Sequence, residues 1–229
     1  LRQVMAHGGV AAGVIKREID KFPGYAGYYG RLFLSDIERS LERKEEEYRL
    51  ADLIVANSAF AKETFVQSGF PEEKIAAIPT GCPACPEIAA NAGGGSRPLI
   101  FLFAGRLSLR KGLPYLLQAW KSLKAKAAAE LWLVGEREVP PGILKGLGEG
   151  VRIFGALPAS GLAKIYRESD VLVLPTLLEG LAYVVLEALA NGLPVITTRE
   201  SGCAGLVQDG ENGFIIEAAD AQALSQAMA

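Results

Sequence analysis

Two glutamates, Glu179 and Glu187, stand with seven residues between them inside DVLVLPTLLEGLAYVVLEALANGLPVITT, residues 170–198. Upstream, FLFAGRLSLRKG carries Arg106 and Lys111, two cations with Gly105 and Gly112 beside them. A guanidinium can chelate two oxygens through its planar fork while an ammonium acts as a point charge, so this pairing suits a diphosphate. The carboxylates suit hydroxyl groups: Glu187 would take those of a ribose, and Glu179 would face a group attached at the far end of the diphosphate. The plain alternatives are two helix-surface carboxylates and a solvated basic turn, SLRKG.

Position in the predicted elements decides how these side chains could act together. Residues 170–174 are β-branched and apolar without alternation, and Pro175 stops them, which predicts a short buried parallel strand. A helix is expected from about Gly180, because Leu181, Val184, Val185, Ala188 and Leu189 recur at helical spacing. It should close at Asn191-Gly192 ahead of a strand at residues 195–197. In such a unit the helix N-terminus points at the crevice above the carboxyl ends of the strands, where free amides favour an anion and Gly180 permits close backbone approach. Eight helical residues rise about 12 Å, enough for Glu179 and Glu187 to bracket a nucleoside diphosphate with its attached group.

The surrounding pattern repeats strand and helix. Strands are expected at residues 99–104, 131–134, 151–154 and 214–216, and helices from Pro114 to about Lys126 and over residues 160–169, with another beginning near Asp220. This predicts an α/β fold with a doubly wound parallel sheet over residues 99–229. Gly105-Arg106-Leu107 follows the first of these strands. Gly155-Ala156-Leu157 follows the third, on the same edge, where Ala156 and Leu157 could offer backbone groups to a base.

Residues 1–81 read as a second, incomplete Rossmann-like unit: a helix over residues 1–21, an aperiodic YAGYYGRLF loop, then a charged helix opened by a Ser35/Glu38 capping box and running to about Ala51. A strand at residues 53–56, a Ser58-capped helix to Gln67 stopped by Gly69, and a strand at residues 75–78 complete it. Residues 82–98 shift to Pro, Ala, Asn and a Gly93-Gly94-Gly95-Ser96 run, which reads as a linker between domains. Because Leu1 is not an initiator, the sequence is expected to be a fragment of a longer chain.

Composition narrows the function. The 229 residues are 50% hydrophobic with a net charge of −2, and they hold no basic cluster, so neither nucleic acid nor an anionic membrane surface is indicated as a partner. Peripheral membrane association is left open. No apolar run approaches the roughly 18 residues of a membrane span. Three cysteines, an odd number, indicate a reducing, cytoplasmic setting rather than a disulfide framework. Cys82 and Cys85 form a C-x2-C pair, yet only Cys203 and His7 remain as further zinc ligands, both remote in sequence, so no metal site is expected. His7, the sole histidine, has no visible partner, which favours a structural role over a catalytic one.

Taken in order, FLFAGRLSLRKGLPYLLQAW, VRIFGALP, DVLVLPTLLEGLAYVVLEALANGLPVITT and QDGENGFII resemble the retaining glycosyltransferases of family 4, enzymes of the GT-B fold with two facing Rossmann-like domains. ADLIVANSAFAKETFVQSGFPEEKIAAIPTGC resembles the end of that family's N-terminal domain. The resemblance implies a hexosyltransferase that moves a sugar from a nucleotide-sugar donor to an acceptor hydroxyl, with no cofactor. It further implies that Arg106 and Lys111 hold the donor diphosphate, that Glu187 takes the ribose hydroxyls and that Glu179 lies against the transferred sugar. Leu181 and Ala182 replace the family's usual aromatic residue and second glycine. The competing classes are a GT-B epimerase, which would need acid and base side chains in the cleft, and a module that binds a nucleotide sugar without turning it over.

Overall fold

The computed structural model describes residues 2–4, 6–81, 97–123 and 129–229. Cys82, Cys85 and most of the expected linker, residues 82–96, lie outside the described residues, as do residues 124–128, where the helix expected to reach Lys126 would end.

Two parallel sheets organise the chain. The first is small, with strands β1 (Arg2–Val4), β2 (Ile54–Ala56) and β3 (Ile75–Ala77) in the order β1-β2-β3. Helices α1 (Gly8–Lys21), α2 (Tyr28–Leu50) and α3 (Ala59–Gln67) connect them. Ser58 caps α3 by accepting from Ala61 N at 3.0 Å, as its position before the apolar run requires.

Three expectations for this part are corrected. The helix expected over residues 1–21 is split, because residues 2–4 pair with β2 through long-range hydrogen bonds that no local pattern announces. The aperiodic YAGYYGRLF stretch and the Ser35 cap also give way: α2 starts at Tyr28, so Ser35 lies inside a helix. Gly27, just before α2, lies against the second half of the chain, where a Cβ would come within 2.7 Å of Glu138 O. Gly30 within the first turns is tolerated at a cost of about 1 kcal/mol relative to alanine.

The second sheet has six strands: β4 (Leu99–Ala104), β5 (Ala129–Val134), β6 (Val151–Phe154), β7 (Val171–Leu174), β8 (Val195–Thr198) and β9 (Gly213–Ile216). Their order is β6-β5-β4-β7-β8-β9, every neighbouring pair parallel. Counted from β4, this is the 3-2-1-4-5-6 arrangement of a Rossmann-like sheet, with β9 at one edge as expected. Helices α4 (Leu113–Ser122), α5 (Ala159–Glu168), α6 (Tyr183–Ala190) and α7 (Ala221–Ala227) serve this half. The main core wraps the sheet, with Phe101, Phe103, Leu116, Leu131, Leu133 and Leu172 each almost wholly shielded.

The direction in which successive strands are added to the sheet reverses between β4 and β7, which are parallel, hydrogen-bonded neighbours. Crevices in open parallel sheets form outside the carboxyl ends of strands at such a reversal. The loops that leave β4 and β7 there are residues 105–112 and 175–182, which hold Arg106, Lys111 and Glu179.

Candidate functional site

Lys111 closes the loop after β4, and Gly112 turns the chain into α4. Gly112 has φ +75°, and a Cβ there would fall 1.8 Å from Pro175 O, so the two crevice loops touch where only glycine fits. Further contacts tie them: Leu177 N donates to Arg110 O at 2.9 Å, and Thr176 Oγ1 donates to the same oxygen at 3.3 Å.

At the centre is Glu179. Its Oε1 lies 2.5 Å from Lys111 Nζ and 2.5 Å from Arg110 Nη1, with all three side chains largely shielded from solvent. Arg110 Nη1 also donates to Leu178 O at 3.0 Å, and its guanidinium stands 5.5 Å from the centre of the Phe33 ring. Burial pushes the Lys111 ammonium below the usual lysine range. Glu179 acts in the opposite sense, but burial, Arg110 and Arg106 together outweigh it. Arg106 sits further out, more than half exposed, and bonds Glu138 Oε1 at 3.1 Å. Arg106, Ser108, Arg110 and Glu138 face Ile15, Phe33 and Asp36 of the first half across a cavity of about 180 Å³.

Two cations converging on one carboxylate leave the cluster with a formal net positive charge. That is an arrangement for stabilising an anion that carries more charge than Glu179 alone.

The structure thus brings Lys111 and Glu179 into contact and holds Arg106 on the same loop. Gly105 directly follows β4, its N–H bonded to Val134 O at 2.9 Å. Glu187 is held elsewhere: Tyr166 Oη, from α5, donates to Glu187 Oε2 at 2.8 Å. Ala156 and Leu157 are exposed on the loop after β6, two strands from β4 and therefore roughly 10 Å along the sheet edge. Leu181 and Ala182 are buried in the core, so what they can present to a ligand is backbone rather than side chain.

One expectation about this loop is corrected. Helix α6 starts at Tyr183, not near Gly180, so Glu179 belongs to an irregular segment and not to the helix mouth. The reason lies in the backbone: Ala182, just before α6, is extended at φ −82° and ψ 95°, and its segment is held against the loop after β8, with Glu179 N donating to Glu200 O and Ala182 N to Ser201 O, both at 2.8 Å. The helical part of the path from Glu179 to Glu187 therefore rises only about 6 Å, half of the expected span.

Arg110, Tyr166 and Ser58, whose hydroxyl reaches Gly180 O, went unnoticed as site residues in the sequence. Adjacency to Lys111 was the only signal for Arg110. Tyr166 and Ser58 carried none, because each acts across a long chain separation.

His7 is 2% exposed and caps α1: its Nδ1 accepts from Gly9 N at 3.2 Å, which puts the ring proton on Nε2, 4.0 Å from Glu45 Oε1. Phe65, Phe70 and Tyr48 surround the ring. Burial lowers its pKa, with Glu45 opposing. Cys203 is buried, and burial raises its thiol to about 11, which makes it a packing residue at neutral pH.

Comparison with known proteins agrees with this architecture. The family described as "Glycosyl transferases group 1" matches residues 98–229. The amylovoran biosynthesis glycosyltransferase AmsK of Erwinia amylovora is 27% identical over 209 residues, covering 83% of this chain and 51% of that protein. The chain spans about half the length of the curated relatives it matches first. Among solved structures, sucrose-phosphate synthase from Thermosynechococcus elongatus superposes with a TM-score of 0.66 at 25% identity, over 83% of this chain and 51% of that one. Anabaena HepE, solved in complex with UDP and glucose, gives 0.64 at 22% identity, over 78% and 53%.

Proposed function

The chain belongs to the glycosyl transferases group 1 family, and from that premise we propose that the protein of which it forms part transfers a hexose from a nucleoside-diphosphate sugar to an acceptor hydroxyl, with retention of configuration and without a metal ion. The observation that carries this reading is the Arg110–Lys111–Glu179 cluster at the switch point of the parallel sheet, with Arg106 on the same loop.

Loss of a nucleoside diphosphate builds negative charge on phosphate oxygens while the sugar carbon becomes cation-like. Lys111 and Arg106, with the amides at the start of α6, stabilise the leaving diphosphate. When the diphosphate draws Lys111 toward itself, Glu179 is released from one of its two cations and turns to the sugar, with Arg110 still holding it. Glu187, oriented by Tyr166, takes the ribose hydroxyls. Backbone groups at Ala156 and Leu157 contact the base, and those of Gly105, Gly180, Leu181 and Ala182 line the donor. Metal-dependent glycosyltransferases hold their cation with an Asp-x-Asp pair. The sequence contains none, and the basic side chains take over its electrostatic task.

Calorimetric titration with UDP and GDP against their monophosphates tests the site. A diphosphate preference of about 1.5–3 kcal/mol is expected for the charged contacts to the second phosphate, and it should persist in EDTA. Equal affinity for mono- and diphosphate would overturn the diphosphate site, and loss of binding on chelation with recovery in manganese would overturn the metal-free reading. Turnover of labelled donors by the protein separates transfer from binding alone.

A further inference from the structure

The loop that carries Glu179 is held from the far side by the first half of the chain. Leu178, one residue before Glu179, packs with Ala11 of α1 and Ile37 of α2 in a small apolar cluster. Gly180, one residue after, has its carbonyl bonded by Ser58 Oγ at 2.5 Å, across 122 residues of sequence. The residues on either side of Glu179 thus contact the first half, while its own side chain meets Arg110 and Lys111 of the second.

The Ser58 hydroxyl is committed on both sides. It accepts from Ala61 N as the cap of α3 and gives its single proton to Gly180 O. The contact leaves no slack: Gly202 has φ +73°, and a Cβ there would stand 2.1 Å from Gly180 O and 2.9 Å from Ser58 Oγ. Ser58, Gly180 and Gly202 are packed as tightly as backbone allows, and Ser58 is 2% exposed.

We propose that Ser58 is a positioning residue for Glu179: its hydroxyl aligns the loop at residues 178–182 only while the first half is docked against it, so the carboxylate is set for transfer in the docked form alone. Glu179 N, Gly180 O and Ala182 N are then all occupied by fixed partners, leaving the Glu179 side chain as the part of the loop free to exchange partners. This inference rests on the transferase reading for its consequence in turnover, but not for the alignment itself.

Three variants separate the bridge from the helix cap. Ser58→Gly preserves most of the cap, since glycine at this position loses only a few tenths of a kcal/mol, but it has no proton to give Gly180 O. Ser58→Ala loses both roles, and Ser58→Thr keeps both. Hydrogen exchange of the Glu179 and Ala182 amides, measured in the whole protein, should accelerate several-fold in the Gly and Ala variants and return toward wild type in Ser58→Thr. Wild-type exchange in both Gly and Ala variants would overturn the proposal whatever the activity. With a turned-over donor, the Gly variant should lose about three- to tenfold in kcat, the worth of one hydrogen bond, with nucleoside diphosphate affinity held within twofold. Accelerated exchange with unchanged kcat would overturn the catalytic consequence. Accelerated exchange in a protein whose wild type transfers no sugar would leave the alignment standing and sink the transferase reading instead.

Discussion

At the scale of single residues, the two glutamates that look alike in the sequence have different surroundings. Glu179 is enclosed by two cations, and Glu187 meets a phenol. Their substitutions should therefore separate. Glu187→Gln removes a ribose acceptor and should weaken UDP and the sugar donor alike by roughly 0.5–3 kcal/mol, the range for one or two hydrogen bonds. Glu179→Gln should lower kcat while leaving affinity for UDP nearly unchanged, the pattern of a contact made mainly in the transition state. Titration calorimetry and steady-state kinetics on the same preparations check both, and wild-type behaviour in the two variants would take both carboxylates out of the donor site. Lys111 and Glu179 were both singled out by residue type, but their direct contact, and the part of Arg110 in it, emerged only from the folded loops.

At the scale of elements, two positions control whether the site is built. Gly112 lets the loop after β4 lie against Pro175, so Gly112→Ala should destabilise the second half by roughly 2–6 kcal/mol, combining left-handed strain with a backbone clash. A urea midpoint close to wild type would contradict this. His7 caps α1 as a neutral ring, with its pKa depressed below 6.5 chiefly by burial. The unfolded ring then binds a proton near pH 6.5 that the folded ring resists. Stability should accordingly fall as pH drops below that value and level off beneath the folded pKa. His7→Asn keeps a capping side chain without the titration. Its urea midpoint should depend less on pH between 7.5 and 5, and parallel curves for the two proteins would argue against the buried neutral ring.

At the scale of the whole molecule, α1 of the first half and α4 of the second are joined by a polar bridge. Tyr115 Oη donates to Glu18 Oε2 at 2.6 Å and receives Lys21 Nζ at 3.0 Å, and the Lys21 ammonium also lies 4.9 Å from the Tyr115 ring centre. Burial, with Glu18 adding to it, raises the phenol pKa, so the hydroxyl keeps its proton throughout the ordinary pH range. Tyr115→Phe leaves a shielded carboxylate without its donor, at a cost of about 1–3 kcal/mol. Because that contact links the halves, the variant should unfold in two separable steps where the wild type unfolds in one. Circular dichroism and tryptophan fluorescence can follow this, since Trp120 and Trp132 both lie in the second half. Coincident transitions in the variant would show that the bridge does not couple them.

Sequence alone determined the features that depend on near neighbours. The six strands of the larger sheet followed from short apolar runs bounded by Gly and Pro, the Ser58 cap from its place before an apolar helix, and the charged loop from residue type. The family resemblance likewise rested on ordered local motifs, and the match over residues 98–229 supports it at the level of the glycosyl transferases group 1 family. Tertiary structure decided whatever required a partner far along the chain. Residues 2–4 became a strand by pairing with β2, and α2 began at Tyr28, where Gly27 fits against Glu138 O as no larger residue would. The helix after β7 started three residues late because Ala182 is extended where its segment is bonded to the loop after β8. A backbone bond fixed across the fold, such as those between β1 and β2, outweighs the few tenths of a kcal/mol by which most residues differ in local propensity.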